Sequence, residues 1–408
     1  MSELSDQITN EERFFNLSIL ARQVFNPNTP VPEKDLFSGR KEQVRRVIDV
    51  ILQRGQHAII FGDRGVGKTS LANVLQDFLP TPQQVSATRI NCDREDSFTT
   101  VWQKVFNGMN LISNEKIVGF FPNSTTKTFD ADSFITSNEN VPEQVRRALI
   151  RISVAFASTI VIVDEFDRLH ESVRSLFADF VKSLSDYDIN ITIVFIGVGD
   201  SIEHLIQQHQ SVSRALVEIK MPRMAKSEIE QIVNVGLERL RMNIDKDALE
   251  KIKTLSMGLP HYTHLIALHA TRDALDKHSM NISMENLNSA IKKAIEDAQH
   301  SIRTSYYTAT RSAIKDNLFE DVLLACAMAP VNELGEFAAI DLKEPMLKIT
   351  GRNYQIPGYA KHLAEFSESK RGNIIIKTGQ RKRYRYKFSD PLMQPFTIMR
   401  GILRGVNI

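Results

Sequence analysis

The chain reads as an α/β protein: a P-loop core on a mainly parallel sheet, then a helical lid, then a C-terminal winged helix. Three patterns predict this. Apolar, β-branched runs alternate with helical segments between residues 57 and 197, as parallel βαβ units require. One of these runs, His57-Ala58-Ile59-Ile60-Phe61, feeds a Gly-rich loop and a helix. The C-terminal stretch reads as three helices followed by a hairpin.

The Gly-rich loop, Gly62-Asp63-Arg64-Gly65-Val66-Gly67-Lys68-Thr69, has the spacing G-x-x-x-x-G-K-T and is followed by Ser70. Phosphate oxygens need close backbone N–H donors, and the three glycines stand where a Cβ would block approach or the turn. Lys68 supplies charge for the β- and γ-phosphates and Thr69 a hydroxyl for Mg²⁺. The helix that follows points its positive dipole end at the anion. The expected cofactors are therefore ATP and Mg²⁺, held by residues 62–70.

Val85 to Asp93 reads as a second strand. Thr159-Ile160-Val161-Ile162-Val163-Asp164-Glu165 reads as a buried strand presenting two acids at its C-terminal edge, where ligands bind in open parallel sheets. Asp164 is the expected partner of Mg²⁺, and Glu165 the residue that orients and polarises the attacking water. A further strand, Asn190 to Gly197, leads to Asp200, a candidate for reaching the γ-phosphate and equally a turn or N-cap residue. The segment 112–141, rich in Asn, Ser and Thr, is long for an α/β connection, and a surface loop fits it.

A chain of 408 residues is expected to hold two or three domains. No apolar stretch is long enough to span a bilayer and the first residues are polar, so a cytoplasmic protein without a membrane partner is expected. Cys92 and Cys326 have no C-x-x-C neighbour and read as small buried side chains. The net charge of +2 hides an asymmetry. Residues 351–408 carry twelve Lys and Arg against Glu365, Glu368 and Asp390, a net +9, which leaves −7 for the rest. A basic C-terminal segment implies a polyanion partner, nucleic acid first.

These motifs together resemble the AAA+ ATPases. The run Phe37-Ser38-Gly39-Arg40, the P-loop, Asp164-Glu165, and Ser211-Val212-Ser213-Arg214 before Leu216-Val217-Glu218-Ile219 stand in the order seen in that superfamily. Over residues 30–395 the chain looks like the replication-initiator ATPases of the origin-recognition group. The resemblance implies that Phe37 to Arg40 pack around adenine, that Arg214 completes a neighbouring subunit's site, and that the protein self-associates; for the segment 112–141 it offers contact with DNA or a neighbouring subunit as the alternative to a surface loop. A permanent planar cation suits that finger role. Two departures stand out: Asp200 or Gly199 replaces the usual Asn, and Gly258-Leu259-Pro260-His261 stands where many members carry G-x-x-R. Pro260 and His261 are the corresponding nucleotide candidates. The Gly-Leu-Pro step also resembles the lid of signal-transduction ATPases that act as switches.

Ser227-Glu228-Ile229-Glu230 has capping-box spacing for a helix running to Arg241, with further helices over 246–255, 261–278 and 283–300. His261 and His264 lack a third ligand and read as packing residues. The expected domains are residues 1–221, 222–310 and 311–408. In the last, helices are expected near 318–327, 337–349 and 356–366, the second limited or kinked by Pro345, then strands over 373–377 and 383–388. Lys361 on the third helix, with Tyr359 and His362 beside it, is the expected groove contact; Arg381, Lys382, Arg383 and Arg385 on the wing are the expected phosphate contacts. Three readings follow: an ATP-hydrolysing protein that binds duplex DNA and assembles with ATP, a switch whose winged helix binds a protein effector, or a DNA-binding module with a vestigial nucleotide pocket, which the intact P-loop counts against; replication, transposition and defence all stay open.

Overall fold

The computed structural model describes residues 2–27, 40–78, 85–113, 125–128, 134–135, 139–153, 158–187, 189–198, 212, 214–314, 317–332, 335–380 and 383–408. The chain forms two compact units, Pro30–Pro222 and a second that joins Met1–Thr29 to Arg223–Ile408. The first element, helix α1 (Ser2–Val24), belongs to the second unit.

In the Pro30–Pro222 unit, α2 (Lys41–Leu52) precedes β1 (His57–Phe61), and α3 (Lys68–Val74) follows the Gly-rich loop. Next come β2 (Val85–Asn91), α4 (Phe98–Gly108), a hairpin of β3 (Asn110–Ser113) and β4 (Thr125–Thr128), and α5 (Val141–Ser153). Strand β5 (Ser158–Asp164), α6 (Glu171–Asp186), β6 (Ile191–Gly197) and β7 (Leu216–Lys220) complete the unit. Five strands pair in the order β2-β5-β6-β1-β7, every pair parallel. Strands β1 and β6 are buried throughout because helices cover both faces, which explains their unbroken apolar runs.

Helix α4 shows how pattern becomes packing. Ser97 and Thr100 exchange side-chain and backbone bonds at its start, and Phe98, Val101, Trp102, Val105 and Phe106 recur on one face. Trp102 lies fully buried against Phe177 and Phe180 of α6. The 112–141 segment contributes to this core as well: Phe134 packs its ring 4.9 Å from Phe106, and Ile135 is buried. Both cysteines are free and buried, as expected.

The second unit continues with α7 (Lys226–Leu240), β8 (Asn243–Ile244), α8 (Lys246–Leu255), α9 (Pro260–Asp276), β9 (Asn281–Ile282), α10 (Met284–Glu296) and α11 (His300–Thr310). Helix α7 starts two residues earlier than the Ser227–Glu230 spacing suggests and without a reciprocal box: Glu228 accepts the Ala225 N–H at 2.8 Å, while Ala225 has no side-chain acceptor to return the bond; Arg241 is the left-handed C-cap. The N-terminal stretch, expected with the P-loop core, instead belongs to this unit, as its residues 21–25 show. Ala21, Val24 and Phe25 are buried, and a Cβ on Gly236 of α7 would fall 2.3 Å from the Phe25 ring. The apolar face of α1 thus finds its partner in the helical unit.

Then come α12 (Phe319–Met328), a 3-10 turn (Ala339–Leu342) leading into α13 (Lys343–Thr350), and α14 (Ile356–Phe366). Pro345 neither kinks nor ends a helix, since it sits in the first turn of α13, where no intrahelical N–H is needed. An antiparallel pair, β10 (Ile375–Thr378) and β11 (Arg385–Phe388), precedes α15 (Met393–Leu403). No helix among the described residues is long and apolar enough to cross a membrane.

At the start of β1, His57 is wholly buried, and its Nδ1 accepts the Ile193 N–H at 3.0 Å. Burial pulls its pKa down to about 3, so the folded protein holds it neutral where the unfolded chain, titrating near 6.5, takes a proton. Stability should therefore fall as pH drops from 6.5 toward 3, by about 1.4 kcal/mol per pH unit from this residue. His57→Gln keeps an acceptor for Ile193 and should flatten the acid slope by about that amount in urea unfolding between pH 7 and pH 4; an unchanged slope would exclude His57 as its source.

Candidate functional site

Because β1 and β5 run parallel, their C-terminal ends place the Gly-rich loop and the two acids at the same edge of the sheet. The loop is tightly held. Met221 N–H donates to Phe61 O, and a Cβ on Gly62 would lie 2.3 Å from the Met221 carbonyl oxygen. Gly67 N-caps α3 with φ 93°, a left-handed conformation that costs glycine nothing. Lys68 donates from Nζ to the carbonyls of Gly62 at 3.0 Å and Asp63 at 2.8 Å. Burial lowers the pKa of Lys68, while Asp167, Asp164 and Asp63 oppose that shift.

Asp164 is 3% exposed. Its Oδ2 accepts Thr69 Oγ1–H at 3.0 Å and Arg89 Nη2–H at 2.8 Å, and its Oδ1 accepts the Glu165 N–H at 2.8 Å. A hydroxyl and a buried carboxylate side by side are hard oxygen donors suited to Mg²⁺ that keeps most of its waters. The glycine cradle and Lys68 suit the phosphates that such an ion accompanies. Glu165 sits just past the strand with φ 55°, and its half-exposed carboxylate pairs with Arg168 at 2.6 Å. Arg168 also lies 3.7 Å from Asp93 in the loop after β2.

Three contributors escaped the sequence reading. Arg89 is one. Asp167 is the second: its Oδ1 accepts the Val198 N–H at 3.0 Å, joining the acidic turn to the end of β6. The D-E-x-D spacing of residues 164–167 was the available signal. Arg168 is the third, visible only through its contact with Glu165.

Arg40 is buried with φ 58° and donates to the carbonyls of Val66, at 3.2 Å, and Pro222, so it braces the Gly-rich loop. Phe37, Ser38, Gly39, Gly199, Asp200, Ser211, Ser213, Arg381 and Lys382 lie outside the described residues. Arg64 is exposed at the loop tip. Arg214, also exposed, precedes β7, whose Leu216 pairs with His57 at the beginning of β1. Arg214 therefore stands at the sheet edge opposite the loop that follows Phe61, roughly 15 Å away along the strand.

In the helical unit, Pro260 opens α9 and His261 Nδ1 lies 2.8 Å from the Pro27 carbonyl oxygen. His264 is buried, with its pKa pulled down to about 4 by that burial, and no metal-binding cluster occurs among the described residues. Toward the C-terminus, Lys361 is 84% exposed, and Arg383 and Arg385 are exposed. Tyr359 is no surface contact: it is fully buried and its hydroxyl donates to Ala339 O at 2.8 Å. His362 rests edge-on against Phe319, 4.7 Å between ring centres. Tyr386 stacks on Phe337, while Lys377 Nζ lies 3.7 Å over the Tyr384 ring.

Residues 51–206 match the family model described as an AAA domain. No curated protein matches the chain. Among solved structures, the Walker-type ATPase PABY2304 of Pyrococcus abyssi is 16% identical, with a TM-score of 0.56 over 92% of this chain and 99% of that one. The Aeropyrum pernix ORC2 protein, solved as ADPNP–ADP complexes, is 14% identical, with a TM-score of 0.53 over 94% and 98%. Residues 51–206 thus carry an AAA domain, and the chain shares its fold with these two proteins over nearly its whole length.

Gly62→Ala should lower the urea midpoint by an amount worth about 2 kcal/mol, because the added methyl meets backbone rather than a side chain that can move aside. A variant as stable as the parent would show that the loop has room the geometry denies.

Proposed function

We propose that this protein binds and hydrolyses ATP with Mg²⁺ and couples that cycle to assembly on duplex DNA. The observation that carries the proposal is the arrangement at one sheet edge of Gly62, Gly67, Lys68, Thr69 and Asp164. Lys68 would turn its ammonium from the loop carbonyls to the β- and γ-phosphates. Thr69 and Asp164 would hold Mg²⁺, which when bound neutralises phosphate charge. Glu165 is the base that orients the attacking water. To do so it must release Arg168, and a pair this exposed contributes little and breaks easily. Arg214 acts on a neighbouring copy, since the topology sets it at the far edge of its own sheet. Phe37 and Arg40 are proposed to border the adenine side, and Pro260 and His261 to close the lid.

Residues 311–408 are proposed as a winged helix: helices α12, α13 and α14 followed by the β10–β11 hairpin. The exposed cations Lys361, Arg383 and Arg385, together with Arg381 and Lys382, would meet phosphates, a role consistent with the net +9 of the segment. A second reading, a nucleotide switch that signals to a protein effector, is favoured by the Gly258-Leu259-Pro260 lid and by the His261 contact with Pro27.

Two experiments test this. Lys68→Ala should abolish ATP binding, whereas Glu165→Gln should keep it and lose most turnover, at least about a hundredfold; full turnover in Glu165→Gln would remove Glu165 from catalysis. Duplex DNA affinity should fall steeply with salt, and Arg383→Ala with Arg385→Ala should flatten that dependence by about two units of slope. No DNA binding at low salt, with or without ATP, would leave the effector switch as the reading.

A further inference from the structure

Arg89 is the one cation that reaches the Asp164 carboxylate through an ion pair among the described residues, at 2.8 Å and from the neighbouring strand β2. Its Nη1 donates to the Asn73 side chain, and Asn73 lies one helical turn beyond Thr69 on α3. The guanidinium thus bridges the helix that bears the metal-side hydroxyl and the strand that bears the metal-side carboxylate. Both act on the same oxygen, since Thr69 and Arg89 donate to Asp164 Oδ2. Arg89 is about a quarter exposed and Asp164 almost fully buried, so water does little to mute the pair.

We propose that Arg89 sets the magnesium demand of the nucleotide site by placing a permanent positive charge beside the carboxylate that serves the ion. This rests on the ATP-binding reading above. The effect is one of charge more than of position, because Thr69 Oγ1 and the Glu165 N–H still hold Asp164 when the guanidinium is gone. Even at the dielectric of water, a unit charge about 5 Å from a dication shifts its affinity about tenfold.

The test is a magnesium titration of the full chain with a fluorescent ADP analogue, which reads binding and needs no turnover. Arg89→Gln should lower the magnesium concentration at half-maximal signal about tenfold; Arg89→Lys, which keeps the charge but not the planar fork, should stay within about twofold of the parent. Arg89→Met keeps the apolar stem and serves in place of a Gln variant that fails to fold. If Gln and Lys both raise the magnesium requirement, Arg89 only positions Asp164 and the charge proposal falls. An unchanged requirement in the Gln and Met variants overturns it as well, while a parent chain that binds no analogue overturns both this proposal and the ATP-binding reading.

Discussion

Asp164 is bonded by three donors from three elements: the Thr69 hydroxyl of α3, the Arg89 guanidinium of β2 and the backbone N–H of Glu165 at the end of its own strand. A buried carboxylate without such partners would cost several kcal/mol, so the three bonds are a condition of this fold as well as of its chemistry. They also determine the neighbourhood. With Thr69 tied to β5, the first turn of α3 is anchored to the strand that carries Asp164, and Lys68 one residue earlier donates to the loop carbonyls. With the Glu165 N–H tied to Asp164, the chain enters a left-handed turn that carries Asp167 to Val198 and Glu165 to Arg168.

The opposite side of the Gly-rich loop is braced as firmly. Arg40 spans from the Val66 carbonyl to that of Pro222, the last residue of the unit, and Met221 bonds back to Phe61. The loop is therefore gripped from the start of α2 and from the end of β7. Its glycines answer to this grip: Gly62 has no space for a methyl because the Met221 carbonyl is there.

In the helical unit, consecutive residues at the start of α9 face different segments. His261 meets the Pro27 carbonyl of the N-terminal extension, and the Tyr262 hydroxyl donates to Leu392 O just before α15, at 2.8 Å. Arg223 bonds Gln394 and Lys251 bonds the Ile408 carbonyl, so the segment 223–255 and the C-terminal segment share polar ties as well as apolar ones. This is why the two group as one unit with α1. A rearrangement at the first turn of α9 would be felt by both chain ends.

What was legible in the sequence was local or periodic. The strands 57–61 and 191–197, the loop, the acids at 164 and 165, the helix 356–366 and the hairpin all follow from spacing that physics reads within a few residues. The start of α7 lies two residues before the expected one because two acids, Glu228 and Glu230, offered the same pattern and only the backbone shows which one bends back. Tyr359 read as a surface residue because helical periodicity does not say which neighbour covers a face; the Ala339 carbonyl does. The tertiary structure alone decided the partners: Arg89 to Asp164, Arg40 to the loop, and α1 to the helices beyond residue 223. Each joins residues far apart in the chain: the two arginines depend on which buried oxygen a long side chain can reach, and α1 on which apolar face is left uncovered, and no short-range pattern encodes either.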